Sequence, residues 1–144
     1  MCPISAVLEI LGDKWTLLII RDLMFNGKKT YGEFLQSDER IATNVLADRL
    51  LTLEKTGLVE KKAFPGNRAK NLYLLTPKSI DLMPTLFEII LWGDKYLDIS
   101  ERARWLAAEI RKDKDRIMKE ISGRLATGDT EPIKTGQRGA SVSK

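Results

Sequence analysis

RIATNVLADRLLTLEKTGLVEKK, residues 40–62, is the stretch on which the fold turns. From about Ala42 to Lys55 the apolar residues recur at helical spacing, and Gly57 closes the run. Successive helical residues turn by about 100°, so Leu46, Leu50 and Leu53 fall within roughly 60° of one another and form a buried stripe. Asn44 and Asp48 then point nearly opposite, with Thr43 and Ala47 on the flank near the helix start. That end is small, polar and hydrogen-bonding, with nothing bulky to keep it out of a groove. Two explanations stay open. Thr and Asn favour helix starts for capping reasons alone, or this end reads another molecule.

The flanking segments give the frame. Pro3 suits the first position of a helix with Cys2 as its cap, and Ile4, Val7, Leu8 and Leu11 repeat until Gly12. Asp13 caps a second helix, KWTLLIIRDLMF, which is apolar nearly all round and therefore central, ending at Gly27. Thr30 and Glu33 form the capping box of a short third helix, YGEFLQSD. After the helix of the opening stretch the period changes. Residues 58–76 read as a β-hairpin, with Phe64-Pro65-Gly66-Asn67 at its turn and Asn71–Leu75 as the returning strand. Thr76-Pro77 opens a fifth helix, SIDLMPTLFEIILWGDKYL, which Pro84 should kink. A sixth, from Ser100 to about Leu125, carries Leu106, Ile110, Ile117, Ile121 and Leu125 along one side. The tail beyond Ala126 has almost no large apolar residue and is expected to be disordered.

Composition narrows the function. The 144 residues contain no histidine and one cysteine, Cys2, so a zinc site, a Cys-His pair and a Ser-His-Asp triad are excluded and no metal or cofactor is expected. Neither GxxxxGK[ST] nor GxGxxG occurs, and enzymatic activity is not expected. No apolar run reaches the eighteen or so residues of a membrane span, and no signal-peptide layout opens the chain, so a cytoplasmic protein is expected. The lone cysteine rules out an internal disulfide and agrees with a reducing compartment. Net charge is +4, which favours an anionic partner without naming one. Position is more telling: KKAFPGNRAK places Lys61, Lys62, Arg68 and Lys70 in the hairpin with no acid among them, and Lys28 and Lys29 precede the third helix. These clusters flank the polar helix tip on both sides, offering cations for phosphates and polar groups for base edges.

Helix, helix, helix, helix, hairpin, helix is mainly α with a small β-hairpin wing, a winged helix-turn-helix. The sequence resembles the HxlR-type, MarR-like bacterial transcription regulators. The resemblance is carried by CPI at 2–4, GDKWTLLIIRDL at 12–23, TYGEF at 30–34, IATNVLADRLLTLEKTGLVEK at 41–61, and YLLTP at 73–77 with LMP and LWG following, and it spans about residues 2–98. This chain departs from the family pattern at Asp13 and Ser79, where glycine is common, and at Leu72, where an acid is common. The resemblance implies a homodimer on a roughly palindromic operator in double-stranded DNA, with the fourth helix in the major groove and the wing on the adjacent backbone or minor groove. On that view Thr43, Asn44 and Asp48 read base edges, although a carboxylate near phosphates is unfavourable unless it accepts from a cytosine amino group. Lys28, Lys29 and Thr30 hold the backbone. Arg49 contacts phosphate or pairs with Glu54. Arg68 at the wing tip reaches the minor groove or a phosphate.

The expected organisation is a DNA-binding domain over 1–98, a C-terminal amphipathic helix over 99–126 for dimerisation, and the tail over 127–144. Trp92, Tyr96, Trp105, Leu106 and Ile110 gather near the junction of the last two helices and are the expected dimer interface, unless the last helix folds back over its own core. Cys2, at the positive end of a helix dipole, is a candidate sensor of oxidants or electrophiles, a role that some relatives give to a cysteine in the same CP motif. The competing reading is a winged-helix module that binds a protein through the same surfaces. A small-molecule effector, the operator, and repression versus activation are not legible in the residues.

Overall fold

The computed structural model describes residues 1–128 and Ile133. The order is α1 (Pro3–Leu11), α2 (Lys14–Phe25), α3 (Tyr31–Leu35), α4 (Thr43–Lys55), β1 (Val59–Phe64), β2 (Asn67–Leu75), α5 (Pro77–Ile80), α6 (Met83–Tyr96), α7 (Glu101–Lys112) and α8 (Lys114–Thr127). This is a winged helix-turn-helix followed by a helical C-terminal part. The tail expected to be disordered lies, apart from Thr127, Gly128 and Ile133, outside the described residues.

Local chemistry sets the first four helices. The Asp13 carboxylate accepts from the N–H groups of Trp15 and Thr16 at 2.9 and 3.0 Å, capping α2 as expected. α2 then buries Ile19, Ile20, Leu23, Met24 and Phe25. The Thr30–Glu33 capping box opens α3. α3 ends at Leu35, three residues earlier than the sequence suggests, because the chain must turn to set α4 across it. Leu46, Leu50 and Leu53 are the buried face of α4. Its C-terminus closes with Gly57 at φ +74°, while Leu58 N–H reaches the Leu53 carbonyl at 2.8 Å and Gly57 N–H the Glu54 carbonyl at 3.1 Å, so the last carbonyls are satisfied.

The wing is antiparallel, pairing Val59 with Leu75, Lys61 with Tyr73 and Ala63 with Asn71. Gly66, at φ +79°, supplies the left-handed turn position. β2 starts at Asn67 instead of Asn71, and the register shifts between Ala63 and Phe64, so Arg68–Lys70 bulge from the ladder. Wing and core meet through Tyr73, which is buried edge-on to Phe34 of α3.

The C-terminal part departs from expectation in two places. The fifth helix is two helices, because the chain breaks after Ile80, and Pro84 falls in the opening turn of α6 instead of kinking it. There its missing N–H costs nothing, since first-turn donors have no partner within the helix. Ser79 stands at 0% exposure and its hydroxyl accepts from Thr76 N–H at 3.0 Å, fixing the entry to α5. The expected sixth helix breaks at Asp113, where φ is −160° and the side chain caps α8 through Arg116 N–H at 3.1 Å. That break lets α7 bury Ala107 and Ile110 while α8 buries Ile117 and Ile121 in the same core as α2, α4 and α6. α1, in contrast, buries none of its residues.

Candidate nucleic-acid interface

The start of α4 is open. Ala42 is its N-cap in extended backbone and provides no side-chain hydrogen bond, so Thr43 is the first helical residue and not a cap. Thr43, Asn44, Ala47 and Asp48 are exposed, whereas Val45 is half-buried and Leu46 fully buried. No acid lies in the first turn. Its N–H donors therefore face solvent with the positive end of the helix dipole.

One short segment ties this tip to the wing. The Tyr31 hydroxyl donates to the Thr43 carbonyl at 2.9 Å, and Tyr73 N–H of the wing donates to the Lys29 carbonyl at 2.8 Å. Residues 29–31 thus anchor the base of the hairpin and the tip of α4 together. The wing cations Lys61, Lys62, Arg68 and Lys70 are all exposed. Lys61 and Lys62 lie 3.8 Å from Glu54 and Glu60, at the edge of ion pairing, which binds exposed groups weakly. Lys70 sits 4.4 Å over the Phe64 ring, bracing the tip. Arg68 has no hydrogen-bond or ion-pair partner among the described residues.

Two of the expected backbone residues, Lys28 and Thr30, are turned inward, and Lys29 is not. The Lys28 ammonium is turned inward, donating to the Ser37 hydroxyl at 2.6 Å and lying 3.7 Å from Asp22, whose side chain is buried. Ser37 in turn donates to Asp22, and Arg21 bridges Asp22 and Glu39. Removing a cation from beside a buried carboxylate is costly, so Lys28 is held in this network. Thr30 is buried, with its hydroxyl taken up by the Glu33 capping box. Lys29 donates to the Gly128 carbonyl at 2.8 Å, but it does so in exposed surroundings.

Arg49 does not pair with Glu54. Five residues separate it from Glu54, about 140° around the helix, so the two cannot share a face. Its Nε instead donates to Asp13 at 2.9 Å and its Nη1 to the exposed Asp48. Burial alone would raise the Asp13 carboxyl, yet hydrogen bonds from Thr16, Arg49 and Trp15 hold it below its ordinary value. Hydrogen bonds from the Arg21 guanidinium likewise pull Glu39 down to about 2. Asp48 thus does more than face solvent: it helps orient Arg49.

The expected dimer residues separate into two groups. Trp92 and Tyr96 are 59% and 60% exposed, their rings 5.2 Å apart on the open side of α6. Trp105 and Leu106 are half-buried, with Leu106 packed on the core. Ile110 is 2% exposed and belongs to the interior of its own chain, so it is removed from the interface: the break at Asp113 folded the stripe inward. Sequence reasoning missed α1, where Ile4, Val7 and Leu8 are all exposed. The signal was present, since PISAVLEIL is apolar on more than one face. Cys2, just before α1, is exposed and makes no capping hydrogen bond through its side chain. Among the described residues no acid, histidine or cysteine cluster could hold a metal, and no helix is long and apolar enough to cross a membrane.

Known proteins share this arrangement. The model of the HxlR-like helix-turn-helix family matches residues 10–101. The HTH-type transcriptional regulator YodB of Bacillus subtilis (strain 168) is 33% identical over 99 residues, 68% of this chain and 88% of YodB. The structure of reduced YodB from B. subtilis aligns at 30% identity with a TM-score of 0.56, covering 70% of this chain and 99% of that one. The redox regulator HypR in its oxidized form aligns at 25% identity with a TM-score of 0.59, over 68% of this chain and 100% of HypR. YodB is a transcriptional regulator and not an enzyme. On a match that spans most of its length, from the end of α1 to the start of α7, the chain belongs to the HxlR-like helix-turn-helix family of transcriptional regulators.

Proposed function

We propose that this regulator acts in the cytoplasm as a homodimer that binds an inverted-repeat operator in double-stranded DNA. The start of α4 enters the major groove and the wing tracks the neighbouring backbone. The observation that carries this reading is the exposed, uncapped, acid-free first turn of α4, pinned by Tyr31 to the segment that also anchors the wing. Thr43 and Asn44 offer base-edge hydrogen bonds, Arg68 and the wing lysines offer phosphate contacts, and Lys29, bonded to the Gly128 carbonyl in exposed surroundings, exchanges that carbonyl for a phosphate on binding.

The dimer reading now rests mainly on α1 and α6. Ile4 is 71% exposed and Leu8 58%, and α6 adds Ile89, Trp92 and Tyr96. Apolar surface of this kind is favourably covered by a second copy, and a two-fold pair would set two reading helices about 34 Å apart. Ile4→Glu with Leu8→Glu should yield a monomer in sedimentation velocity that binds a single half-site weakly.

The deciding experiment is the salt dependence of binding to DNA from upstream of its own gene. With about six neutralised phosphates, log affinity should fall against log salt with a slope near −5. A flat dependence would favour the protein-interaction module instead. A redox input through Cys2 belongs to the same reading, because the exposed thiol begins the helix that carries the unpartnered apolar face. YodB has been crystallised reduced, quinone-bound and diamide-treated. Diamide should therefore alter DNA binding by the wild type and leave Cys2→Ser unchanged.

A further inference from the structure

The turn between α3 and α4 contains a backbone feature that the DNA-reading surface does not by itself require. Arg40 has φ +55° and is the non-glycine residue in the left-handed region among those described. An L side chain is disfavoured there, and glycine or asparagine is the usual occupant. The conformation itself serves the fold, since it lets Arg40 N–H donate to the Ser37 carbonyl at 3.0 Å and turns the chain into Ala42, the N-cap of α4. Glycine would make the same turn without strain. The arginine side chain is what needs explaining.

Its surroundings point outward. Each nearby cation is occupied by an acid: Arg21 by Asp22 and Glu39, Lys28 by Asp22, Arg49 by Asp13 and Asp48. Arg40 is exposed and its side chain has no hydrogen-bond or ion-pair partner among the described residues, although Asp38 and Glu39 are close in sequence. Glu39 is held by Arg21, so its charge is compensated before it can attract Arg40. The result is an uncompensated guanidinium two residues before the N-cap of the reading helix. A residue there rides at the rim of whatever groove the helix enters, and at the rim of a DNA groove lie the phosphates.

Resting on the DNA-binding reading above, we propose that Arg40 is a phosphate contact that clamps the backbone beside the entry of α4, its side chain aimed by the left-handed turn. Strain at this position is then retained for function.

Opposite effects on folding and binding provide the test. Wild type, Arg40→Gly, Arg40→Asn and Lys119→Gln, the last removing an exposed cation on α8, would be titrated with a mixed-sequence duplex and with the upstream fragment across a salt series. Both Arg40 variants should melt no lower than wild type, since glycine and asparagine accept the turn. They should bind both DNAs about tenfold more weakly, with the salt slope reduced by about one, while Lys119→Gln keeps the wild-type slope. Wild-type slope and affinity in both Arg40 variants would overturn the clamp while leaving the DNA-binding reading in place. An equal loss in Lys119→Gln would also overturn it, as a general charge effect. A wild type that binds neither duplex would remove both.

Discussion

α1 and the α7–α8 pair both carry apolar residues at helical spacing and meet opposite ends. Ile4, Val7 and Leu8 on α1 stay exposed, whereas Ile110, Ile117 and Ile121 are buried to within 5%. Spacing tells which face of a helix is apolar, but not what will cover it. In the second case the backbone leaves the helical region at Asp113, whose side chain caps α8, and the stripe folds back onto the core. α1 has no such hinge. Among the described residues of the chain, nothing buries it.

The difference is measurable. Ile110→Ala should lower stability by about 2–5 kcal/mol in urea unfolding, through lost burial and the cavity left behind. Ile4→Ala should lower the stability of the monomeric state by under about 0.5 kcal/mol and weaken self-association instead. Equal costs in both would mean that α1 is packed more tightly than its exposure indicates. Next in size is the reading tip, where Asn44→Ala should reduce discrimination between operator and random DNA by about 1–3 kcal/mol, whereas Arg68→Ala should weaken both alike. Competition titrations would separate the two. Removing the hinge is smaller still. Asp113→Ala takes away the cap of α8 and should cost about 1 kcal/mol, read as a lower urea midpoint with unchanged slope.

What was legible in the sequence shares a scale. Asp13, the Thr30–Glu33 box, Gly57 and the Pro65-Gly66 turn act within four residues of themselves, and each does locally what its type predicts. The buried stripe of α4 follows from period alone. The start of α4 as an exposed polar tip was equally readable, because exposure is the complement of that stripe. What escaped is settled across distance. Lys28 looks like a free surface cation until α2 and the α3–α4 turn bring Asp22 and Ser37 to it, and Arg49 finds Asp13, 36 residues earlier. The break at Asp113 escaped for a different reason: KDKDR is as compatible with a continuing charged helix as with a cap, and the packing of α7 on α6 and of α8 on α2 selects the cap.

The same distinction between local and long-range chemistry gives the smallest prediction. Glu39 sits in the turn before α4 and is held by Arg21 of α2, with its carboxyl at about 2 against an ordinary 4.5. Its folded value lies below its unfolded one, so the pair contributes fully above about pH 4.5 and is lost as pH falls toward 2. Both side chains are 28% exposed, so solvent screening holds the contribution below about 1 kcal/mol. Glu39→Gln should therefore flatten the loss of stability between these pH values slightly, and added salt should flatten it in wild type as well. Because Arg40 follows Glu39 directly, breaking this pair has a second consequence: a released Glu39 carboxylate would compete for the Arg40 guanidinium. Arg21→Met should thus weaken DNA binding at neutral pH even though Arg21 is turned toward the protein, and Glu39→Gln introduced in the same chain should restore it. Failure of that rescue would mean that Arg21 acts on the turn only through packing.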